Sequence, residues 1–370
     1  MHRRFLLALT LLIFTVGPAI AGPGPNGAPG VVYAMTNAEA GNAVLAYPRL
    51  VDGTLGSPEA YETGGLGFVG GVPVDPLRSQ GSLVLSPDHR WLLAVNAGSD
   101  QISVFRNRSE GLTLTDVTDS GGTLPVSVSI HGDRVYVLNA GGRLGGADVV
   151  AGFILSPDGQ LIPLSGSTRF LSEDNTDPAQ VGFTPDGSAL VVTEKATHRL
   201  DVFPLNGEGL PSAAPVITQS EGAVPFGFVF NHRGRLVVSE AAGSVSSYAV
   251  SDDGSLTVVS SAVPNGQAAT CWIAGNRGRF AFTANTGSST LSSYGVRSDA
   301  ELTLLEAVAA DLPGALPIDA ATPRSGRYLY TANAGTGTVG MFAVGPDGGL
   351  THLGDAPGLP LSGAQGIAAR

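Results

Sequence analysis

Two carboxylates occupy positions where the rest of this chain carries amides. Seven short runs of β-branched and apolar residues each end in one polar residue, and that row reads Asn37, Asn96, Asn139, Glu194, Glu240, Asn285 and Asn333. Asparagine in such a place is a turn residue, because it tolerates left-handed backbone and caps its own main chain. Glu194 and Glu240 stand in consecutive copies, and neighbouring carboxylates can divide acid and base roles or hold a cation. Glu194 is the expected acid/base and Glu240 its expected partner. Lys195 and His198 follow Glu194 within one turn, where they can bind a substrate or neutralise the acid. Gln180 and Asp319 enter apolar runs from the same side and complete the expected substrate-binding set.

These residues need a scaffold that brings distant copies of one pattern together. From Val181 to Phe203 the pattern is plainest. An apolar run reaches Phe183, Pro185-Asp186-Gly187 turns it, a second run spans Ala189 to Val192, and Leu200 to Phe203 alternates apolar with polar. Proline presets φ and glycine accepts left-handed backbone in such turns, while alternation marks a half-buried strand. The pattern recurs along the chain, with the polar row spaced 43 to 59 residues apart. Units of that length with four short strands each mark a β-propeller. The sequence therefore predicts an all-β fold, a seven-bladed β-propeller with four antiparallel strands per blade, over six or eight blades. The first copy lacks its first strand, and Gln365 to Ala368 resembles one. The C-terminal strand is expected to join the N-terminal blade, closing the ring and removing two edges. One domain over 31–370 follows, after a flexible Gly/Pro-rich stretch at 22–30.

In such blades the Pro-Asp-Gly turns share one face. The polar row and the links between blades share the other, where loops leave room for a site. Two insertions fall there. Tyr61 to Gln80 links the first two blades, and Arg143 to Val149 lengthens the turn after Asn139. They read as rim or lid segments, or as tolerated surface insertions.

The chain has 370 residues, 20 basic against 31 acidic, and a formal charge of −11. That balance offers no footprint for nucleic acid or anionic lipid. At the N-terminus, His2, Arg3 and Arg4 precede an apolar stretch from Phe5 to Val16 and the small residues of Ala19-Ile20-Ala21. This order reads as a signal peptide over 1–21, cleaved after Ala21. The expected location is secreted or periplasmic, with no membrane span after cleavage. A single cysteine excludes an internal disulfide, and its neighbours Trp272 and Ile273 make Cys271 a buried thiol rather than a nucleophile. There is no Gly-x-Ser-x-Gly elbow, His-Glu-x-x-His helix or EF-hand loop. No cofactor or metal is assigned, and a cation in the central channel is left open. The expected partner is a small molecule or an extracellular protein or glycan.

Ser86-Pro87-Asp88, Thr184-Pro185-Asp186-Gly187 and the run Tyr328-Leu329-Tyr330-Thr331-Ala332-Asn333 make the repeats more specific. With these motifs the chain after the signal resembles the seven-bladed β-propeller lactonases, which include carboxymuconate cyclases and propeller-type 6-phosphogluconolactonases. The resemblance implies hydrolysis or isomerisation of a small lactone-type substrate at the channel mouth. For the cyclase branch it implies a catalytic glutamate, an arginine beside it, a histidine one blade earlier and an arginine one blade later. The glutamate falls on Glu194. The family's Gly-Pro-Arg-His falls on Asp177-Pro178-Ala179-Gln180, Pro125-Val126-Ser127 has no histidine, and Glu240-Ala241 stands where the second arginine belongs. Arginine forks hold anionic substrates well, so a mouth with two glutamates and without those arginines suits a neutral or cationic molecule. The expected function is an exported lactonase- or cyclase-like enzyme. The alternative is a non-catalytic extracellular binding propeller that presents its rim to a protein or glycan.

Overall fold

Thr184, Pro185, Asp186, Gly187 and Ser188 show how each blade turns. The Thr184 hydroxyl and the Ser188 N–H both donate to Asp186 Oδ1 (2.7 and 3.1 Å), and Gly187 takes φ +73°. Ser86 and Asp88 repeat the arrangement at 2.6 Å. Such self-capped turns fix the register of the strands on either side. In the computed structural model, which describes residues 30–370 apart from 71 and 277, the strands form seven antiparallel sheets arranged as a ring. The signal peptide at 1–21 and nearly all of the stretch at 22–30 lie outside the described residues.

Blade four runs from channel to rim as Pro178–Phe183, Ala189–Glu194, Arg199–Pro204 and Val216–Gln219. Blade three differs at its outer edge, where Leu161–Pro163 and Arg169–Phe170 both pair with Asp148–Leu155. Blade one joins the two chain ends. Ile367–Ala369 pairs with Gly30–Met35, placing Ala368 opposite Tyr33. The all-β, seven-bladed ring closed by its C-terminal strand is the fold that the repeats predict. Among the described residues the helical content is one short 3-10 turn, Gly141–Leu144.

Blades pack face to face through aromatic and β-branched residues. Tyr136 of blade three meets Phe183 of blade four edge-on at 5.7 Å, and Phe226 of blade five meets Trp272 of blade six at 4.9 Å. Buried side chains of this kind contribute roughly 1.5–3 kcal/mol each. The face that carries the polar row has its own repeated device. The residue before the inner strand is left-handed in blades three to seven: Leu124, Asp177, Val224, Ala269 and Leu316, with φ between 48° and 62°. Each offers its carbonyl to the N–H of the residue just past the row, namely Ala140, Lys195, Ala241, Thr286 and Ala334. That bond sets Lys195 beside Asp177 at the channel mouth.

Candidate functional site at the plugged channel mouth

Glu194 ends the second strand of blade four with no exposed surface. Its carboxylate accepts hydrogen bonds from the Ser172 N–H (3.0 Å), the Ser172 hydroxyl (2.6 Å) and the Thr197 hydroxyl (2.5 Å). Asp201 lies on the same sheet face, because it sits opposite Val192, two residues before Glu194. Both Asp201 oxygens are buried without a donor. Burial and the Glu194 charge push Asp201 up to about 9, so it keeps a proton that it can donate to Glu194. Glu240 is built alike, accepting from the Ser220 hydroxyl (3.2 Å), the Gly222 N–H (2.9 Å) and the Ser244 hydroxyl (2.5 Å). In sister blades Asn96 donates to the Ser103 hydroxyl (2.7 Å) and Asn285 to that of Ser292 (2.9 Å). The row consists of buried anchors at the blade junctions.

Three of the expected binding residues bridge neighbouring elements in the same manner. The Gln180 amide accepts from the Phe228 N–H (2.7 Å) and donates to its carbonyl (3.2 Å), bridging blades four and five. Asp319 Oδ2 accepts from the Ile367 N–H (3.1 Å), which ties blade seven to the closing strand; burial pushes this carboxyl up to about 8. His198 Nδ1 accepts from the Val224 N–H at 2.8 Å. Of the six expected residues, Lys195 alone is hydrogen-bonded to the wall of a pocket. Cys271 is buried, and burial raises its thiol far above the usual range.

The link between blades one and two does not stay on the rim. Asn37 holds its start by donating to the Phe68 carbonyl (2.8 Å) and also reaches Gly363 (3.0 Å). The link then enters the channel. The Ser79 hydroxyl donates to the Val126 carbonyl (2.8 Å), while the Ser79 carbonyl accepts from Trp272 Nε1 (2.9 Å) and Gln365 Nε2 (3.2 Å). The Gln80 side chain accepts from the Ile273 N–H and donates to its carbonyl, both at 2.9 Å. These partners belong to blades three and six and to the segment entering blade one, so the link plugs the channel. A plug forms where a rim or lid segment was expected because amide and backbone groups of the link satisfy inner-strand groups that would otherwise lack partners. Glycine at 227 makes room, since a Cβ there would stand 2.1 Å from Gln80 Oε1.

Above the plug lies a pocket of about 350 Å³. Phe68, Val72, Pro76 and Arg78 of the plug form one side, and Leu124, Arg143, Leu144, Asn175 and Asp177 the other. Asp148, buried in blade three, sets the second side. It accepts from the Gly142 N–H (2.8 Å), and from the N–H (2.8 Å) and hydroxyl (2.9 Å) of Thr176. One carboxylate thus places both the turn that carries Arg143 and the strand entry that carries Asp177. Arg143 Nε donates to Asp177 Oδ1 (2.5 Å) and its Nη1 to the Leu77 carbonyl (2.7 Å), joining the two insertions. Lys195 Nζ donates to the carbonyls of Arg78 (2.8 Å) and Pro178 (3.1 Å) and lies 3.6 Å from Asp177 Oδ1.

The charges act on one another. Burial raises Asp177, but the Lys195 and Arg143 charges outweigh it and hold the carboxyl below its usual range. Burial and the Arg143 charge pull Lys195 down to about 7, against the opposing pull of Asp177 and Asp75. Arg78 is 45% exposed and only 3.9 Å from Asp177, which leaves its guanidinium facing the pocket. Four non-glycine lining residues, Arg78, Leu124, Asn175 and Asp177, hold left-handed backbone, with φ between 48° and 59°. Such conformations cost ~1–3 kcal/mol each and persist where surrounding bonds over-determine them. Two arginines, one from each insertion, meet Asp177 at the pocket. The sequence signal for them is simple: each insertion of an acidic chain carries one basic residue, Arg78 or Arg143. Among the described residues no group of three or more His, Cys, Asp or Glu could hold a metal ion.

A seven-bladed propeller with a plugged channel and a mixed-charge pocket at its mouth is the class of protein that this geometry defines. Solved structures with the fold include the periplasmic gluconolactonase of Pseudomonas aeruginosa, with a TM-score of 0.72, 19% identity, and coverage of 92% of this chain and 98% of that one. A candidate 6-phosphogluconolactonase from Bacteroides fragilis gives 0.68 and 18%, over 92% and 98% of the two chains. Streptogramin B lyase gives 0.56 and 14%, over 79% and 87%. Lactonase-type propellers of the kind that the motifs resemble are therefore among the structural neighbours, and at such identities the likeness is one of fold. The sequence matches no protein-family model and no curated protein.

Proposed function

We propose that this propeller is a lactonase-like enzyme that opens a small lactone-type molecule in the pocket over the plug. One observation carries the reading: an ionised carboxylate, Asp177, and an exposed guanidinium, Arg78, face a pocket of small-molecule size. Asp177 takes a proton from water as the water oxygen bonds to the lactone carbonyl carbon. Arg78 stabilises the oxyanion that develops. When the ring C–O bond breaks, the ring oxygen leaves as a hydroxyl, carrying the proton back from Asp177. Arg143 and Lys195 stand behind Asp177 and keep it ionised and oriented. Two guanidinium groups against one carboxylate favour a substrate bearing a carboxylate or a polarised carbonyl over a cation. The names of two structural neighbours, a gluconolactonase and a candidate 6-phosphogluconolactonase, agree with the reaction type. Export through residues 1–21 belongs to the same reading, and mass spectrometry of a secreted product should find it beginning at Gly22.

The test is a panel of neutral and carboxylated lactones, followed by acid release with and without chelator. Asp177→Asn should lower kcat by about 100-fold, and Arg78→Ala should lower kcat and raise KM. Glu194→Gln should lower thermal stability and leave kcat in place, because Glu194 anchors a blade junction. No turnover across the panel, or turnover that survives both pocket variants, rejects the reading. A non-catalytic binding propeller is the second reading, favoured by Leu144, which lines the pocket yet is 57% exposed. Saturable binding of a panel member, a glycan or a protein without product would select it.

A further inference from the structure

We infer that the channel holds a hard, oxygen-seeking cation of the calcium class where blades seven, one and two meet beside the plug. Three oxygen-bearing side chains belong to or touch the stretch from Gln365 to Ile367. Asp319, on the inner strand of blade seven, is 2% exposed; its Oδ1 accepts from the Ala320 N–H (2.8 Å) and its Oδ2 from the Ile367 N–H (3.1 Å). One donor on each oxygen leaves a lone pair on each. Gln365, two residues before Ile367, is fully buried, and its Oε1 has no donor while its Nε2 is held by the Ser79 carbonyl. Ser82, at the entry to blade two, is also fully buried with an unpartnered hydroxyl. Its Oγ packs on Gly366, where a Cβ would stand 2.6 Å from it. Asp319 Oδ2 and Ser82 Oγ therefore both touch the stretch Gly366–Ile367, and Gln365 directly precedes it.

The energetics favour a ligand. Six buried side-chain atoms among the described residues lack a hydrogen-bond partner, and two of them, Ser82 Oγ and Gln365 Oε1, border the stretch that Asp319 binds. An orphaned buried polar group costs ~1–3 kcal/mol, and a cation would give both orphaned oxygens a partner. Carboxylate, amide and hydroxyl oxygens are the donors that calcium takes, with water or carbonyls completing the shell. A cation in this place would pin the closing strand to both its neighbours.

Mature protein stripped with chelator and titrated with calcium chloride, magnesium chloride or sodium chloride gives the test. Calcium should raise the melting temperature by a few degrees, as any ligand of the folded state does. Terbium, used as a calcium probe, should show emission sensitised by Trp272, whose Nε1 donates to the same Ser79 carbonyl as Gln365. Asp319→Asn keeps an acceptor for the Ile367 N–H and removes the charge. It should melt at or above wild type in chelator, below it in calcium, and lose the terbium signal. Ser82→Ala, a milder change, should weaken terbium binding by about 3-fold or more. The inference is overturned if wild type responds to no cation, or if Asp319→Asn responds as wild type does.

Discussion

Asp201 lies beside Glu194 with its carboxyl held protonated by burial and the Glu194 charge, in a place where sister blades use neutral groups, such as Asn96 with Ser103. The consequence is a pH dependence of definite sign. Asp201 rises from 3.8 in the unfolded chain to about 9 when folded, through burial and the Glu194 charge, with Arg199 opposing. The folded state thus holds a proton that the unfolded chain releases. Stability from this pair is full below about pH 4 and is lost as pH rises through about 9. Urea denaturation at about pH 5, 7 and 9 should show this decline in wild type. Asp201→Asn, whose amide donates to Glu194 without a titration, should flatten it and add on the order of 2 kcal/mol at about pH 8. Residue type made Glu194 conspicuous in the sequence, but its partners were not legible there: Ser172 and Thr197, whose hydroxyls close over the carboxylate, come from separate loops. Arg78 and Arg143 were legible only as lone basic residues in insertions, because their meeting at Asp177 depends on two separate loops.

The strands were readable because their instructions are local. A turn such as Thr184 to Ser188 caps itself within five residues, and alternation in Leu200 to Phe203 states which side is buried. The plug offers no such period. Its Gly/Pro-rich stretch bonds to partners as far as 286 residues away, which no local pattern records. Its dependence on those partners can be measured. Gly227→Ala would place a Cβ 2.1 Å from Gln80 Oε1, and overpacking of this kind costs ~1–3 kcal/mol. Limited proteolysis should then reveal new cleavage between Thr63 and Gln80, together with a lower melting temperature. Trp272→Phe keeps the ring contact with Phe226 but removes the donor to Ser79. It should cost ~1 kcal/mol and give a weaker form of the same proteolytic pattern.

The whole ring depends on its last residues. Ile367–Ala369 pairs with Gly30–Met35, Gln365 donates its N–H to the Met35 carbonyl (3.1 Å), and Asn37 reaches Gly363. Deleting residues 363–370 exposes two strand edges and opens the channel beside the plug. Calorimetry should show a melting temperature lower by on the order of 10 °C, and size-exclusion chromatography should show self-association. The plug adds a second condition. Ser79 and Gln80 touch blades three and six and the entry to blade one at the same time. In a ring with one blade more or fewer, Val126 and Ile273 would stand at a different separation, and the same twenty-residue link would fall short or collide. The link is therefore a gauge of ring size. Repeats of this kind are easily duplicated or lost as units, yet here a change in their number would destroy the pocket along with the fit. The count of seven is held by the plug and the pocket above it as well as by the blades.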